Sequence, residues 1–127
     1  MSDVIGVGVD LCAVARIEKA MAREHFMARV FTEGERAYIA SQGAGAARSA
    51  AAAFAAKEAV AKALGTGFSL GVMPDQIEVT HAPTGAPQAV LRGAALARLE
   101  EMGGVRVMLS LTHERETAAA FAVVVGE

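Results

Sequence analysis

Residues 54–67 read FAAKEAVAKALGTG. Alanine is the strongest helix former, and residues 44–53 just before this stretch are alanine broken only by Gly45, Arg48 and Ser49. One long helix is therefore expected from about Ala46 to Leu64. It should stop at Gly65-Thr66-Gly67, where glycine can take the left-handed conformation that closes a helix C-terminus. Phe54, Glu58 and Ala61 or Lys62 recur at spacings of three and four and so share a face, with Glu58 and Lys62 an i, i+4 pair. An exposed pair of this kind contributes only about 0.3–0.5 kcal/mol, so the helix carries charges that its own packing does not require.

The chain has 127 residues, 54% of them hydrophobic, which is enough for one domain over residues 1–127 with a real core and too few for two. A formal net charge of -2 and a pI near 5.9 give no argument for nucleic acid or an anionic membrane surface. With no tryptophan and one tyrosine, an aromatic platform for stacking bases is not expected either. The single Cys12 precludes an intrachain disulfide and suits a reducing cytosol. No apolar run reaches the roughly 18–20 residues of a membrane span, and the first residues lack the basic start and cleavage site of a signal peptide. A soluble, cytoplasmic protein is expected.

Along the rest of the chain the periodicity alternates between two and 3.6. Residues 4–11 read as a buried strand: Ile5, Val7, Val9 and Leu11 form a branched face, while Gly6, Gly8 and Asp10 leave the other nearly bare. A bare face invites close approach by another backbone or a ligand. Residues 13–25 read as a helix with Arg16, Lys19 and Arg23 on one side, followed by an apolar turn at 26–31 carrying Arg29. Thr32 and Glu35 form a capping box, so a short helix should run from Glu33 to about Ser41. Residues 68–75 should be irregular. Strands at 76–81 and 88–92 form a hairpin across Pro83–Pro87, a helix covers 93–102, and two further strands cover 105–113 and 118–125. The fold class is α+β, a small mainly antiparallel sheet packed against the long central helix.

Three chemical groups fall at marked positions: Asp10 ending the first strand, Glu58 within the helix, and His113 ending the fourth strand. Magnesium is typically held by one or two carboxylates, with water and substrate phosphates completing the octahedron, and two separate carboxylates suit such an ion. Zinc is disfavoured, because Cys12, His25, His81 and His113 have no ligand spacing and His113-Glu114 is not followed by a second histidine. The sequence GVGVD lacks the third glycine of the dinucleotide fingerprint, so no Rossmann site is expected. Cys12 reads as a small buried hydrophobe.

FAAKEAxxKAxGTG, with Gly8-Val9-Asp10-Leu11 near the start and Ser110-Leu111-Thr112-His113 before the last strand, resembles the motif set of the holo-[acyl-carrier-protein] synthases, the small 4'-phosphopantetheinyl transferases. The motifs stand in the family's order and span almost the whole chain. The resemblance implies the family's fold and transfer of the 4'-phosphopantetheine arm of coenzyme A to a serine of an apo acyl carrier protein, with release of adenosine 3',5'-bisphosphate. It implies that Asp10 and Glu58 hold Mg2+, that Lys62 clamps the diphosphate, and that the backbone of Gly65, Thr66 and Gly67 approaches the nucleotide. Thr112 and His113 resemble positions that contact the 3'-phosphate end, and Pro87 would line the pantetheine path. Arg16, Arg23 and Arg29 resemble the docking surface for the acidic carrier, and the family's homotrimer places its sites between subunits. The base that takes the serine proton is left open between a water near the metal, Glu58 and a deprotonated Lys62. The carrier's pathway, fatty-acid or polyketide, is left open too.

Two departures concern charge. An arginine commonly precedes FAAKE, whereas Ala53 stands here, and Ala86 occupies the turn position where a basic residue is usual. Arg48, Lys57 or a residue from another subunit are the candidates to replace them. His25 stands near where some members carry a further arginine, which bears on carrier docking. The rival readings are a carrier-binding trimer without catalysis, supported by the missing charges, and a magnesium-dependent hydrolase of nucleotide diphosphates.

Overall fold

The computed structural model describes residues 2–127. Its elements in chain order are β1 (Asp3–Ala13), α1 (Val14–Met21), α2 (Glu24–Val30), α3 (Glu33–Ser41), α4 (Ala46–Ala63), β2 (Ile77–His81), β3 (Pro87–Leu91), α5 (Gly93–Glu101), β4 (Gly104–Glu114) and β5 (Thr117–Gly126), with 3-10 turns at Gly43–Gly45 and Pro74–Gln76. The five strands form one antiparallel sheet in the order β1-β5-β4-β3-β2. The α+β expectation holds, and the central helix occupies the residues its alanine run predicts.

The buried core lies between α4 and the sheet. Ala50, Ala51, Ala55, Ala56, Ala59 and Val60 of α4 are without solvent contact, facing Ala118, Ala120, Ala122 and Val124 of β5. Small residues on both sides let the helix backbone come down onto the strands. The contact is closest at β1, where a Cβ on Gly8 would run into the Ala59 carbonyl oxygen and one on Gly6 into that of Ala63. The bare strand face is thus bare because the α4 backbone occupies that space.

The reading of β1 as a buried strand is therefore corrected for its branched side. Val7, Val9 and Leu11 are 58%, 58% and 69% exposed, because alternation defines two faces without saying which one turns inward. They continue across the neighbouring strands through Phe121, paired with Val9, and Met108, paired with Val123. The first helical stretch also differs: it breaks at Ala22 and Arg23, so the expected apolar turn at 26–31 belongs to α2. The break lets Phe26 pack its ring 6.0 Å from that of Phe31 and 6.2 Å from that of Phe54.

The Thr32 capping box forms as expected, with Thr32 Oγ1 accepting from the Glu35 amide and Glu35 Oε1 from the Thr32 amide. Glu35 does more than close a helix end. It is buried, accepts from the Val79 amide, and takes a 2.7 Å ion pair from Lys57 Nζ. Lys57 completes its shell by donating to the Pro74 and Ile77 carbonyl oxygens. Burial pulls the lysine's pKa down, and Glu35 opposes that shift.

Candidate active site

Asp10 sits on the same side of β1 as Gly6 and Gly8, two residues beyond the point where that side meets the helix backbone. Glu58 and Lys62 lie one turn apart on α4. Close packing of β1 on α4 therefore brings Asp10 against both: Lys62 Nζ is 3.0 Å from Asp10 Oδ1 and 3.2 Å from the Val9 carbonyl oxygen. Glu58 is half-buried and its pKa is raised, first by burial and then by the Asp10 charge, while Arg16 and Lys62 oppose the shift. Two carboxylates thus share one locality, and the Asp10 charge disfavours ionisation of Glu58. That donor set suits a hard divalent cation that keeps waters and takes its remaining oxygens from a substrate phosphate. Among the described residues no group of three His, Cys, Asp or Glu side chains assembles within one chain.

The turn after α4 is closed by its own helix. Gly65 and Gly67 take φ of 79° and 57°, and the amides of Gly65, Thr66 and Gly67 donate to the carbonyl oxygens of Lys62, Ala61 and Ala61. Both glycines are accounted for by the left-handed C-terminal cap. A ligand at this turn meets shape rather than free amide donors.

The remaining residues singled out in the sequence lie elsewhere. Pro87, Thr112 and His113 line a cavity of about 420 Å³ with Arg48, Tyr38 and His81. In it the Tyr38 and His81 rings are stacked, with centroids 4.2 Å apart. Its wall from α4 consists of Arg48, Ser49, Ala52 and Ala53, and neither Glu58 nor Lys62 reaches it. Within one chain, then, Asp10, Glu58 and Lys62 come together, and Pro87, Thr112 and His113 come together, as two separate sets.

Of the candidates to replace the charges missing at Ala53 and Ala86, Lys57 is corrected out, because its ammonium is consumed by Glu35 and two carbonyls inside the core. Arg48 is exposed on the cavity wall. The basic helix face is real: Arg16, Lys19 and Arg23 surround a groove floored by Phe26 and Phe54, and the Arg16 guanidinium lies 5.6 Å from the centroid of the Phe54 ring. Arg29 is exposed on α2 and does not line that groove. Two contacts of these residues carry no signal in the sequence. Arg16 acts on Glu58, for which spacing along the chain gave no signal. The Tyr38–His81 stack joins two elements whose pairing no local pattern encodes.

Comparison with known proteins gives the family. Residues 6–122 match the model of the 4'-phosphopantetheinyl transferase superfamily. The holo-[acyl-carrier-protein] synthase of Treponema denticola is 44% identical over 123 residues, covering 97% of this chain and 99% of that one. The crystal structure of the holo-[acyl-carrier-protein] synthase of Neisseria meningitidis superposes with a TM-score of 0.85 at 35% identity, covering 96% of this chain and 98% of that one. The Bacillus anthracis holo-(acyl-carrier-protein) synthase in complex with CoA (3',5'-ADP) gives 0.82 at 33% identity, with 98% of each chain covered. This chain belongs to the 4'-phosphopantetheinyl transferase superfamily, among its holo-[acyl-carrier-protein] synthases.

Proposed function

We propose that this protein transfers the 4'-phosphopantetheine group of coenzyme A to a serine hydroxyl of an apo acyl carrier protein, as part of lipid metabolism in the cytoplasm. The observation that carries the reading is the meeting of Asp10, Glu58 and Lys62 from two distant parts of the chain, in a member of this family. The serine oxygen forms a bond to the phosphorus that bears the pantetheine arm. The bond from that phosphorus to the oxygen of the nucleotide's 5'-phosphate breaks, the serine loses its proton, and adenosine 3',5'-bisphosphate leaves. Such displacements depend on charge neutralisation and in-line positioning more than on covalent help.

Asp10 and Glu58 are the residues to hold Mg2+, which when bound would neutralise charge on the diphosphate. Lys62 is placed to add its own charge to the same oxygens. Thr112 and His113, with Arg48 beside them, would take the 3'-phosphate end, and Pro87 the pantetheine path. Gly65, Thr66 and Gly67 would shape the nucleotide's approach. Arg16 and Arg23 offer the carrier a positive groove, with Arg29 on the adjoining surface.

The two residue sets that one chain keeps apart are the reason to read the active form as a homotrimer. Val7, Val9, Leu11, Met108 and Phe121 form an apolar face across three strands, and an exposed patch of this kind marks an interaction surface. Burying it against further copies would let the cavity of one chain complete the carboxylate pair of its neighbour.

The test is intact mass of an apo carrier after incubation with coenzyme A and Mg2+. The expected result is the phosphopantetheine increment, dependent on the metal and lost in Asp10→Ala. Bisphosphate release without any gain on the carrier would favour a hydrolase, and neither product would favour a binding protein without catalysis.

A further inference from the structure

The Lys62–Asp10 pair is uneven. The Asp10 side chain is 12% exposed and fixed in β1, whereas the Lys62 side chain is 52% exposed and hangs from α4 on a flexible four-carbon stem. Among the described residues the ammonium has no hydrogen-bond acceptors beyond Asp10 itself and the Val9 carbonyl. Asp10 is also one of the two carboxylates that the proposed function gives to the divalent cation, and the inference below rests on that assignment. A cation approaching Asp10 and Glu58 meets two negative charges and, at 3.0 Å from one of them, a positive one.

We propose that Lys62 is an internal competitor of the divalent cation: ammonium and metal contend for the Asp10 carboxylate, and a metal that takes it turns the lysine toward the substrate's phosphate oxygens. The competition couples the two ligands. Metal alone must displace an ion pair that nothing else replaces. With a diphosphate present, the displaced ammonium gains new acceptors, so each ligand strengthens the other by the same factor. The site thereby favours the metal–diphosphate complex over the free ion, without any further ligand.

The experiment is Mn2+ binding by electron paramagnetic resonance or calorimetry, without carrier and hence without turnover. Lys62→Met should bind Mn2+ about tenfold more tightly than the parent, the order of effect expected when one unit charge stops repelling a divalent ion across a partly exposed site. Lys62→Arg keeps the charge and can hold the Asp10 carboxylate at least as well, so it should bind Mn2+ no more tightly than the parent. Coenzyme A should raise Mn2+ affinity in the parent by a larger factor than in Lys62→Met. Circular dichroism shows that the variants are folded, and Lys62 is exposed enough that both should be. Equal or weaker Mn2+ binding by Lys62→Met overturns the competition while leaving the transferase reading intact. A parent that binds no Mn2+ overturns the carboxylate pair and the competition together.

Discussion

Lys57 Nζ and Glu35 Oε1 are 2.7 Å apart with side chains 0% and 2% exposed, so a lysine inside the family's FAAKE motif is a core strut. Removing one partner of a buried pair leaves an uncompensated charge in a low dielectric, at a cost of about 3–5 kcal/mol. Lys57→Met should lower unfolding stability by that amount in urea titrations, with no change in coenzyme A affinity for the fraction that remains folded. In the double variant with Glu35→Gln the stranded charge is gone, and the loss should be clearly smaller than the sum of the two single losses.

Glu58 carries a raised pKa, and the sign of its effect follows. Between the ordinary glutamate value of 4.5 and the higher folded value, the folded protein binds more protons than the unfolded chain. Stability therefore falls as pH rises through that window and stays lowered above it. Glu58→Gln removes this penalty. Without metal the variant should melt above the parent at neutral pH, and the gap should close as pH falls toward 4.5. Its transfer rate should drop by about 10²–10³-fold, the range for removing one electrostatic stabiliser from a reacting site. Equal melting temperatures at pH 7 would falsify the burial of a disfavoured charge.

Much of this architecture is written locally. The alanine run, the Thr32/Glu35 capping box and the Gly65–Gly67 stop each encode their own element through propensity and capping, and α3 and α4 appear where those signals put them. What was not legible is which way β1 faces. Val7, Val9 and Leu11 alternate with glycines, and a rule that apolar residues turn inward selects the wrong side. A helix of alanines needs a flat floor, and on β1 the side of Gly6 and Gly8 supplies it. Asp10 and Glu58 stood out by their positions and by motif order, but their meeting depends on a strand–helix contact between residues almost fifty positions apart. The Lys57–Glu35 and Arg16–Glu58 relationships are tertiary in the same sense.

The strand–helix contact predicts its own sensitivity. Gly8→Ala places a methyl where the Ala59 carbonyl stands, and backbone cannot rotate aside as a side chain can. A loss of about 3 kcal/mol or more is expected in chemical denaturation, at the upper end of overpacking costs. Because Asp10 is two residues farther along β1, the folded fraction should also bind Mn2+ more weakly.

Carrier docking should be separable from coenzyme A binding. Arg16 and Arg23 line the groove over Phe54 and Phe26, and reversing both to Glu places like charges before an acidic partner. KM for the carrier should rise about tenfold or more, with the largest effect at low salt, while KM for coenzyme A should change far less. Equal rises in both would show that the groove belongs to the nucleotide.

The separation of the two residue sets within one chain gives the sharpest test of the proposed assembly. Asp10→Ala lacks a member of one set and His113→Ala a member of the other. If both sets of a site came from one chain, mixing the two variants would restore nothing, since each chain would hold one broken site. In a ring of copies with each site at a subunit boundary, random mixing places an intact Asp10 opposite an intact His113 at about a quarter of the boundaries. Unfolding and refolding the mixed variants together should therefore recover transfer activity up to about that fraction, above either variant alone. Adding Phe121→Glu to both chains puts a charge on the apolar sheet face. It should abolish the recovery and yield monomers in light scattering, because the boundary that completes the site can no longer form.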